Sequence, residues 1–413
     1  LKRRRISVVA PEPVRPRMAG MGIRAFEIAR ALCEEFDVRL LVPGDPAEAP
    51  PAPGLEIRAA LPGTEEFARL ARHSDGALVS GHAAGAFFAA APEVPVAVDW
   101  YDPFLVENFR YGRTLGPEVE ARDREAWTLA LLRGDFFLCA SEEQRLFYAG
   151  MLVQGGRWDA ERFLSDPAGR SLIAVVPFGV RAPAEARPDA VRRAVGAEPG
   201  DPVLLFGGLY DWNDPEAVLE SWDELTAAHP GLRLIFCENP NPATTPQSAF
   251  ERARTAARDR GWLSKSVFFL PWTPYDRRGD LYAASTLAVC ACRSGLETDL
   301  SFRTRLLDAA AAGLASVSLH GGGLARRIEE AGAGVAAASP RELIEAIGRY
   351  LAEPAGRREA GERARRFAED SSWERVIRPL SEFFRKGRVS RRLAFPTGRP
   401  GRLRARLRSW SRR

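Results

Sequence analysis

The feature that most constrains this chain is a strand, loop, helix, strand pattern that runs through its first half and then starts again. Residues 6–10 (ISVVA) are a short apolar run with β-branched members, followed by a Pro- and Gly-rich loop to Gly22. Residues 24–36 then carry Phe26, Ile28, Ala29 and Leu32 at helical spacing, and residues 38–42 are the next apolar run. Further strand-like runs lie at 77–80, 94–99, 136–140 and 172–177, with helical stretches between them. Strands that alternate with helices predict an α/β chain with a parallel, doubly wound sheet.

The second series follows residues 181–201, whose Pro, Ala, Glu and Arg content suits a connector. Residues 203–206 read as a strand ending in Gly207-Gly208, 216–228 as a helix, and 232–237, 267–270 and 287–292 as strands. A helix over 303–312 is stopped by Gly313, and a strand at 315–319 ends in Gly321-Gly322-Gly323. Helical stretches at 342–351 and 373–384 close the body. Because the pattern repeats, two Rossmann-like domains facing each other are expected, over 1–183 and 184–372, followed by a helix at 373–386 and a tail at 387–413. The length of 413 residues, against roughly 150 per domain, agrees with that division.

With 46% apolar and 27% charged residues the composition is that of a globular chain. No window approaches the roughly 18 uninterrupted apolar residues of a membrane-spanning helix. The five cysteines (Cys33, Cys139, Cys237, Cys290, Cys292) are scattered without a CxxC, which predicts a reducing cytoplasm and no disulfide framework. The chain opens on Leu1 with no apolar leader, so a lost short leader stays open.

The net charge of +5 averages two unlike parts. From Arg385 to Arg413 there are twelve Lys/Arg and no Asp/Glu, which leaves 47 cations against 54 anions in residues 1–384. An acidic body therefore carries a basic tail, and Arg402-Leu403-Arg404-Ala405-Arg406-Leu407-Arg408 with Trp410 suits an anionic membrane surface or, equally, a solvated tail. Nucleic acid is not an expected partner, since the acidic body would repel a phosphate backbone. Lysine occurs three times, at Lys2, Lys265 and Lys386, so a P-loop lysine has nowhere to stand.

In open α/β sheets ligands bind beyond the carboxyl ends of the strands, and four such loops stand out. In Met18-Ala19-Gly20-Met21-Gly22 glycines let backbone amides approach an anion ahead of a helix. In Asp99-Trp100-Tyr101-Asp102-Pro103, with Glu107 behind, carboxylates can take a proton or hold sugar hydroxyls and aromatics can stack on a sugar face; the alternative is turn chemistry with Trp100 in the core. His82 ends another strand and reads as a base, an oxyanion partner or a cap. Gly207-Gly208-Leu209-Tyr210-Asp211-Trp212-Asn213-Asp214 permits close approach of a phosphate, or is a turn into a helix capped by Asp214 with Pro215 next.

The fourth loop is the densest, Glu297-Thr298-Asp299-Leu300-Ser301-Phe302-Arg303-Thr304-Arg305-Leu306-Leu307-Asp308. A helix beginning near Ser301 would turn free amides to the ligand side, and Arg303 or Arg305 would add charge suited to a diphosphate. The alternative is that Glu297 caps and the arginines pair with acidic neighbours.

On these segments the chain resembles a GT-B glycosyltransferase of the bacterial group-1, family-4-like type over nearly all of residues 6–384. The resemblance is carried by residues 20–32, 96–107, 140–150, Val176-Pro177-Phe178-Gly179-Val180, 204–215, Trp272-Thr273-Pro274-Tyr275, 297–308 with Ala312-Gly313-Leu314, and Trp373-Glu374. It implies transfer of a sugar from a nucleotide diphosphate donor, UDP or GDP type, held by the second domain, to a glycan, glycolipid or protein acceptor held by the first. No metal or other cofactor is implied, because helix amino ends and basic side chains take the leaving charge. Carried over position by position, Gly20, Met21 and Gly22 and the stretch Leu300, Ser301, Phe302 and Arg303 would face the diphosphate, with Gly207, Gly208 and Asp211 beside it. Glu297 would contact donor sugar hydroxyls, Asp308 would bind the ribose, and Trp272 and Tyr275 would sit by the base. His82, Trp100, Tyr101 and Glu107 are acceptor-side candidates, and the 373–384 helix would cross back onto the first domain.

Three departures bear on mechanism. Retaining members usually have two glutamates separated by seven residues; here Leu300 stands eight before Asp308, so the first acid moves to Glu297 and the second is shortened. The Arg and Lys usual after the second domain's first strand are absent from Gly208–Asp214, which leaves phosphate neutralisation to Arg303, Arg305 or another cation. The first-domain histidine of the family falls near Tyr101 and Asp102. Asp99 or Asp102 as base would favour inversion, whereas the resemblance favours retention. The expected role is a cytoplasmic transferase of surface glycoconjugate synthesis, held at the inner membrane face by residues 385–413. The alternatives are a non-catalytic GT-B nucleotide- or glycan-binding partner and a sugar-nucleotide epimerase.

Overall fold

The computed structural model describes residues 3–111, 115–181, 185–239, 245–390 and 392–393. Its strands form two all-parallel sheets, one of seven strands in the order β3-β2-β1-β4-β5-β6-β7 and one of six in the order β10-β9-β8-β11-β12-β13. The first comprises β1 (Arg5–Val9), β2 (Asp37–Val42), β3 (Glu56–Ala59), β4 (Gly76–Ser80), β5 (Val96–Asp99), β6 (Phe136–Cys139) and β7 (Ile173–Val175). The second comprises β8 (Val203–Gly208), β9 (Arg233–Cys237), β10 (Val267–Leu270), β11 (Leu287–Ala291), β12 (Ser316–Leu319) and β13 (Gly334–Ala337). In each sheet the strand order reverses once, between β1 and β4 and between β8 and β11, and those switch points are where a parallel sheet opens a crevice.

Eleven of these strands lie where short apolar runs predict them. The other two are edge strands with weak signals: β3 reads EIRA and is half-buried to exposed, and β13 reads GVAA, with little apolar bulk in either. The helix expected over 216–228 is two, Glu216–Leu219 and Trp222–Ala228. Asp214 does not cap the first of them: Pro215 holds that position, and the Asp214 amide bonds to Ala291 O at 2.9 Å. The closing helix is likewise divided, into Trp373–Val376 and Arg378–Lys386, because Pro379 has no N–H to continue the ladder.

The closing segment lies against the first sheet. Phe383 stacks on Phe136 with centroids 5.1 Å apart, Phe384 meets Phe36 edge-on at 6.1 Å, and Trp373 is buried against Phe178 at 4.9 Å. Its C-terminal end at Gly387 adopts φ 57°, the left-handed cap that glycine tolerates. Beyond it the chain is still attached: the buried Asp135 accepts from Ser390 N at 2.8 Å and from Arg392, and Leu393 N bonds to Leu132 O at 2.9 Å. The expected basic tail therefore begins later than residue 387. Arg391 and residues 394–413 lie outside the described residues, as does the expected domain boundary at 183/184. Among the described residues no helix is long and apolar enough to cross a membrane.

Candidate functional site

The crevices of the two sheets face each other across one cleft. Its larger cavity, about 890 Å³ counting the open mouth, is lined by Gly20, Gly207, Gly208, Trp272, Arg278, Arg305 and Asp308 among others. A neighbouring cavity of about 810 Å³ is lined by Glu12, Met21, Tyr101, Asp102, Glu107, Trp212, Ser301 and Arg303. Gly20, Tyr210, Thr304 and Arg305 belong to both, so they stand at the junction.

The first wall rests on an ion pair that sequence reasoning missed. Arg24 is 1% exposed; its Nε and Nη2 donate to Asp99 Oδ2 and Oδ1 at 2.7 and 3.0 Å, and its remaining donors reach Pro177 O and Val176 O at 3.0 and 2.9 Å. A buried pair survives only when its hydrogen-bonding groups are satisfied in this way. Asp99 also accepts from Tyr101 N at 3.2 Å, so both its oxygens are occupied and the expected role as a base is corrected to a structural one. Trp100 is corrected too. Strand-like alternation turns it away from Asp99 into the core, where it stacks on Phe137 at 4.3 Å and is 1% exposed.

Tyr101 stays on the cleft side, under the Arg24 guanidinium at 4.5 Å, with its hydroxyl donating to Phe302 O at 3.4 Å. Asp102 and Glu107 meet at the cavity. Burial pushes Asp102 up to about 6, helped by the charges of Asp99, Glu297 and Glu12 and opposed by its hydrogen bond with Glu107. Burial, and then Asp102, hold Glu107 well above the usual carboxylate range. Burial and the neighbouring carboxylates thus favour the protonated form of both groups. His82 is not a lining residue of either cavity; its Nε2 is 2.9 Å from Asp123, and its ring tilts on Phe104.

The glycine loop is the first turn of the Gly20–Leu32 helix rather than a loop ahead of it. Gly22 N donates to Glu12 Oε1 at 2.6 Å, so a carboxylate of the chain itself already occupies an amide at that helix end. Gly20 has open space around its Cα and faces the cleft.

On the second wall the helix starts at Thr304, with Arg303 in the capping position, and not at Ser301. Glu297 lies on the separate short helix Leu296–Leu300. It accepts from Arg303 Nη2 at 2.9 Å and from the Ser301 hydroxyl, and Thr298 Oγ1 donates to it at 3.2 Å. The alternative reading, in which the arginine pairs with an acidic neighbour, is therefore what the structure has for Arg303. Leu300 and Phe302 are largely buried, Phe302 lining the smaller cavity.

Arg305 donates to Phe206 O at 2.8 Å and lines both cavities. Arg278, the first residue of the helix Arg278–Ala284, reaches Asp308 at 3.0 Å and lies over the Tyr275 ring at 4.6 Å. Burial raises the Asp308 carboxyl, with Arg278 and Tyr282 opposing. Gly207 takes φ +80° at a bulge in β8, and a Cβ on Gly208 would come within 2.9 Å of Trp272, so these two positions require glycine. Beyond them Tyr210 and Trp212 stack in parallel at 4.7 Å. Asp211 turns elsewhere, accepting from Ala249 N at 2.9 Å, and is not a lining residue. Tyr275 joins the walls: its N–H reaches Pro16 O at 2.8 Å and its hydroxyl donates to Glu27 at 2.5 Å.

Sequence reasoning missed Glu12, Arg24, Arg278 and Tyr282. Arg278 follows the Trp272–Tyr275 segment by three residues and was within reach; nothing distinguished Arg24 from a surface cation on a helix. No group of three His, Cys, Asp or Glu side chains suited to a metal occurs among the described residues.

Comparison with known proteins agrees with this architecture. A family model described as Glycosyl transferase-like matches residues 235–382. D-inositol 3-phosphate glycosyltransferases of Rhodococcus erythropolis and Rhodococcus opacus are each 29% identical over 205 and 209 residues, 49% of this chain and 45% of theirs. The match thus spans under half the length of those relatives. Among solved structures, HepE of Anabaena in complex with UDP-glucose has a TM-score of 0.67 at 15% identity, covering 93% of this chain and 100% of that one. WaaG, a glycosyltransferase involved in lipopolysaccharide biosynthesis, has a TM-score of 0.61 at 15% identity, covering 92% and 99%. The fold is GT-B, and over residues 235–382 the chain is similar to a Glycosyl transferase-like family model.

Proposed function

We propose that this GT-B chain transfers a sugar from a nucleoside diphosphate donor, of UDP type, to a hydroxyl of a glycan, glycolipid or protein acceptor in the synthesis of bacterial surface glycoconjugates. The observation that carries this reading is the convergence of Arg305, Arg278 and the amino end of the Thr304–Ala311 helix on a cavity lined by glycines of both domains, Gly20 and Gly207. A diphosphate there would meet two guanidinium groups and the amino end of a helix with no side-chain cap, which supply the charge that the Gly208–Asp214 loop lacks. Solved structures of HepE with UDP and with UDP-glucose favour uracil as the base. The donor nucleoside is assigned to the Trp272, Tyr282 and Asp308 side, and Glu297 to the donor sugar, once Arg303 is shared with it.

The acceptor is assigned to the wall of Tyr101, Asp102 and Glu107. With Asp99 committed to Arg24, Asp102 is the carboxylate left to serve an inverting step; retention remains the proposed outcome, and the anomeric proton coupling of the product decides it. Turnover is expected to survive chelation of divalent metals. Recruitment to the cytoplasmic face of a membrane is assigned to the Arg-rich residues 394–413. Deleting them, while keeping residues 385–393, is expected to abolish binding to anionic vesicles while leaving turnover in solution.

A second reading, a nucleotide-binding partner without turnover, is favoured by the closed Glu297–Ser301–Arg303 arrangement, in which both charges are already paired. Calorimetry against UDP, GDP, ADP, CMP, dTDP and their common sugars, with Arg305→Ala alongside, tests both. Selective UDP binding lost in Arg305→Ala, together with sugar transfer, supports the transferase. Binding without transfer to any acceptor supports the partner, and no binding overturns both.

A further inference from the structure

We infer that Gln144 is a positioning residue, whose side-chain amide holds the acceptor-side loop and the donor-side loop of the cleft at one separation. Ser141-Glu142-Glu143-Gln144 opens the Glu142–Gln154 helix with the S-x-x-Q spacing of a capping box, in which the glutamine turns back to the helix start. Here the glutamine reaches one residue further back, to the amide before the cap. Ser141 Oγ accepts from Gln144 N at 3.2 Å, and Gln144 Oε1 accepts from Ala140 N at 2.6 Å.

A cap needs only the side-chain oxygen, and glutamate would serve. Here the residue is fully buried, and Nε2 donates both its hydrogens, to Tyr101 O at 2.8 Å and to Leu300 O at 2.7 Å. These two carbonyls belong to opposite walls. Tyr101 directly precedes Asp102, and Leu300 ends the short helix that carries Glu297 and directly precedes Ser301, Phe302 and Arg303. Asp102, Ser301, Phe302 and Arg303 all line the same 810 Å³ cavity. One planar amide therefore fixes the peptides on both sides of the gap in which donor and acceptor would meet.

The other ties across this part of the cleft are weaker in kind. The Tyr101 hydroxyl reaches Phe302 O only at 3.4 Å, and Glu143–Arg326 is an exposed pair. Replacing Gln144 by an apolar side chain of similar length takes the donor from two carbonyls at once while leaving the cavity lining chemically intact. The inference rests on the reading of this cleft as a donor and acceptor site.

The test compares the full-length protein with Gln144→Met and Gln144→Glu, using hydrogen–deuterium exchange without ligand and UDP and UDP-glucose as probes. In Gln144→Met, exchange is expected to rise in both 100–107 and 296–305. UDP affinity is expected to hold within about twofold, and consumption of UDP-glucose to fall about tenfold or more. Gln144→Glu keeps the oxygen for Ala140 N but turns a second oxygen on the carbonyls. Its consumption is expected to recover in part as pH falls from 8 to 6, because the protonated carboxyl becomes a donor again. A simple cap predicts neither the second loop's exchange nor that pH profile.

Exchange rising only over 141–146, or UDP-glucose consumption in Gln144→Met within about twofold of the parent, overturns the inference. If the parent protein neither binds UDP nor consumes UDP-glucose, the donor reading has failed, and the exchange comparison alone decides the tether.

Discussion

The two walls of the cleft come from the same topology and differ in their charge chemistry, one built on carboxyls and the other on arginines. Loops of the first sheet bring Glu12, Asp102 and Glu107 to the cavity, and loops of the second bring Arg278, Arg303 and Arg305. On the first wall the Asp102 and Glu107 carboxyls are pushed up by burial and share a hydrogen bond, so the wall favours binding a proton. On the second, Arg278 lies on Asp308 and Arg303 on Glu297, each an ion pair, while Arg305 donates to the neutral Phe206 O, so Arg305 supplies the positive charge that those carboxylates do not offset. Matching strand ends thus host different chemistry according to which partners the loops supply.

The largest effect is expected from removing what supports the first wall. Arg24→Ala leaves the Asp99 charge buried and unpaired and is expected to cost about 3–5 kcal/mol, read by denaturant unfolding. A cost comparable to that of a surface arginine would mean that Asp99 takes a proton or finds another partner, and its assignment as structural would fall.

Next comes the contrast between the walls. Arg305→Ala is expected to weaken UDP binding by about 10- to 100-fold in calorimetry, since a hydrogen bond to a charged group is worth about 1.5–3 kcal/mol. Asp102→Asn is expected to leave UDP affinity within about twofold, as it lies on the other wall. Equal losses in both would erase the division into donor and acceptor walls.

The raised Asp102 carboxyl on the first wall has a pH signature. Asp102 has its folded value raised to about 6 from an ordinary 3.8, so the native state binds the proton more tightly than the unfolded chain. Its contribution to stability is then largest at low pH and is lost as pH rises through the window from about 4 to 6. Asp102→Asn is expected to match the parent near pH 4 and to gain on it by roughly 1–2 kcal/mol above pH 6.5, a figure discounted for partial exposure. A constant offset across that range would place the titration elsewhere.

The smallest effect is expected at the contact that joins the walls. Tyr275→Phe removes one hydrogen bond to Glu27, which keeps Arg30 and Arg181 as partners at 3.1 and 2.6 Å, and should cost about 0.5–1.5 kcal/mol in thermal unfolding.

Much of the fold was legible because parallel strands buried on both faces read as short apolar runs, as ISVV in β1 and FFLC in β6 do. β3 was not, since an edge strand carrying Glu56 and Arg58 has no such run. At the site, the glycines after β8 and the dense 297–308 segment were visible. The partners of their charges were not. Asp308 and Arg278 are thirty residues apart in the chain, and Asp99 and Arg24 seventy-five, so no local pattern joins them.

The sequence by itself determined that this chain builds two facing parallel sheets with loops of glycine, acid and arginine at their carboxyl ends. Those features follow from periodicity and from the short-range demands of turns. Only the tertiary structure decided which of those groups remain open to a ligand. Asp99 and Asp308 are both acids in loops or helices beside strand ends, yet one is closed off by two hydrogen bonds from Arg24 while the other lines the larger cavity. The reason is physical: a buried charge must be paired, the partner comes from whichever element packs against it, and that packing is a property of the assembled fold.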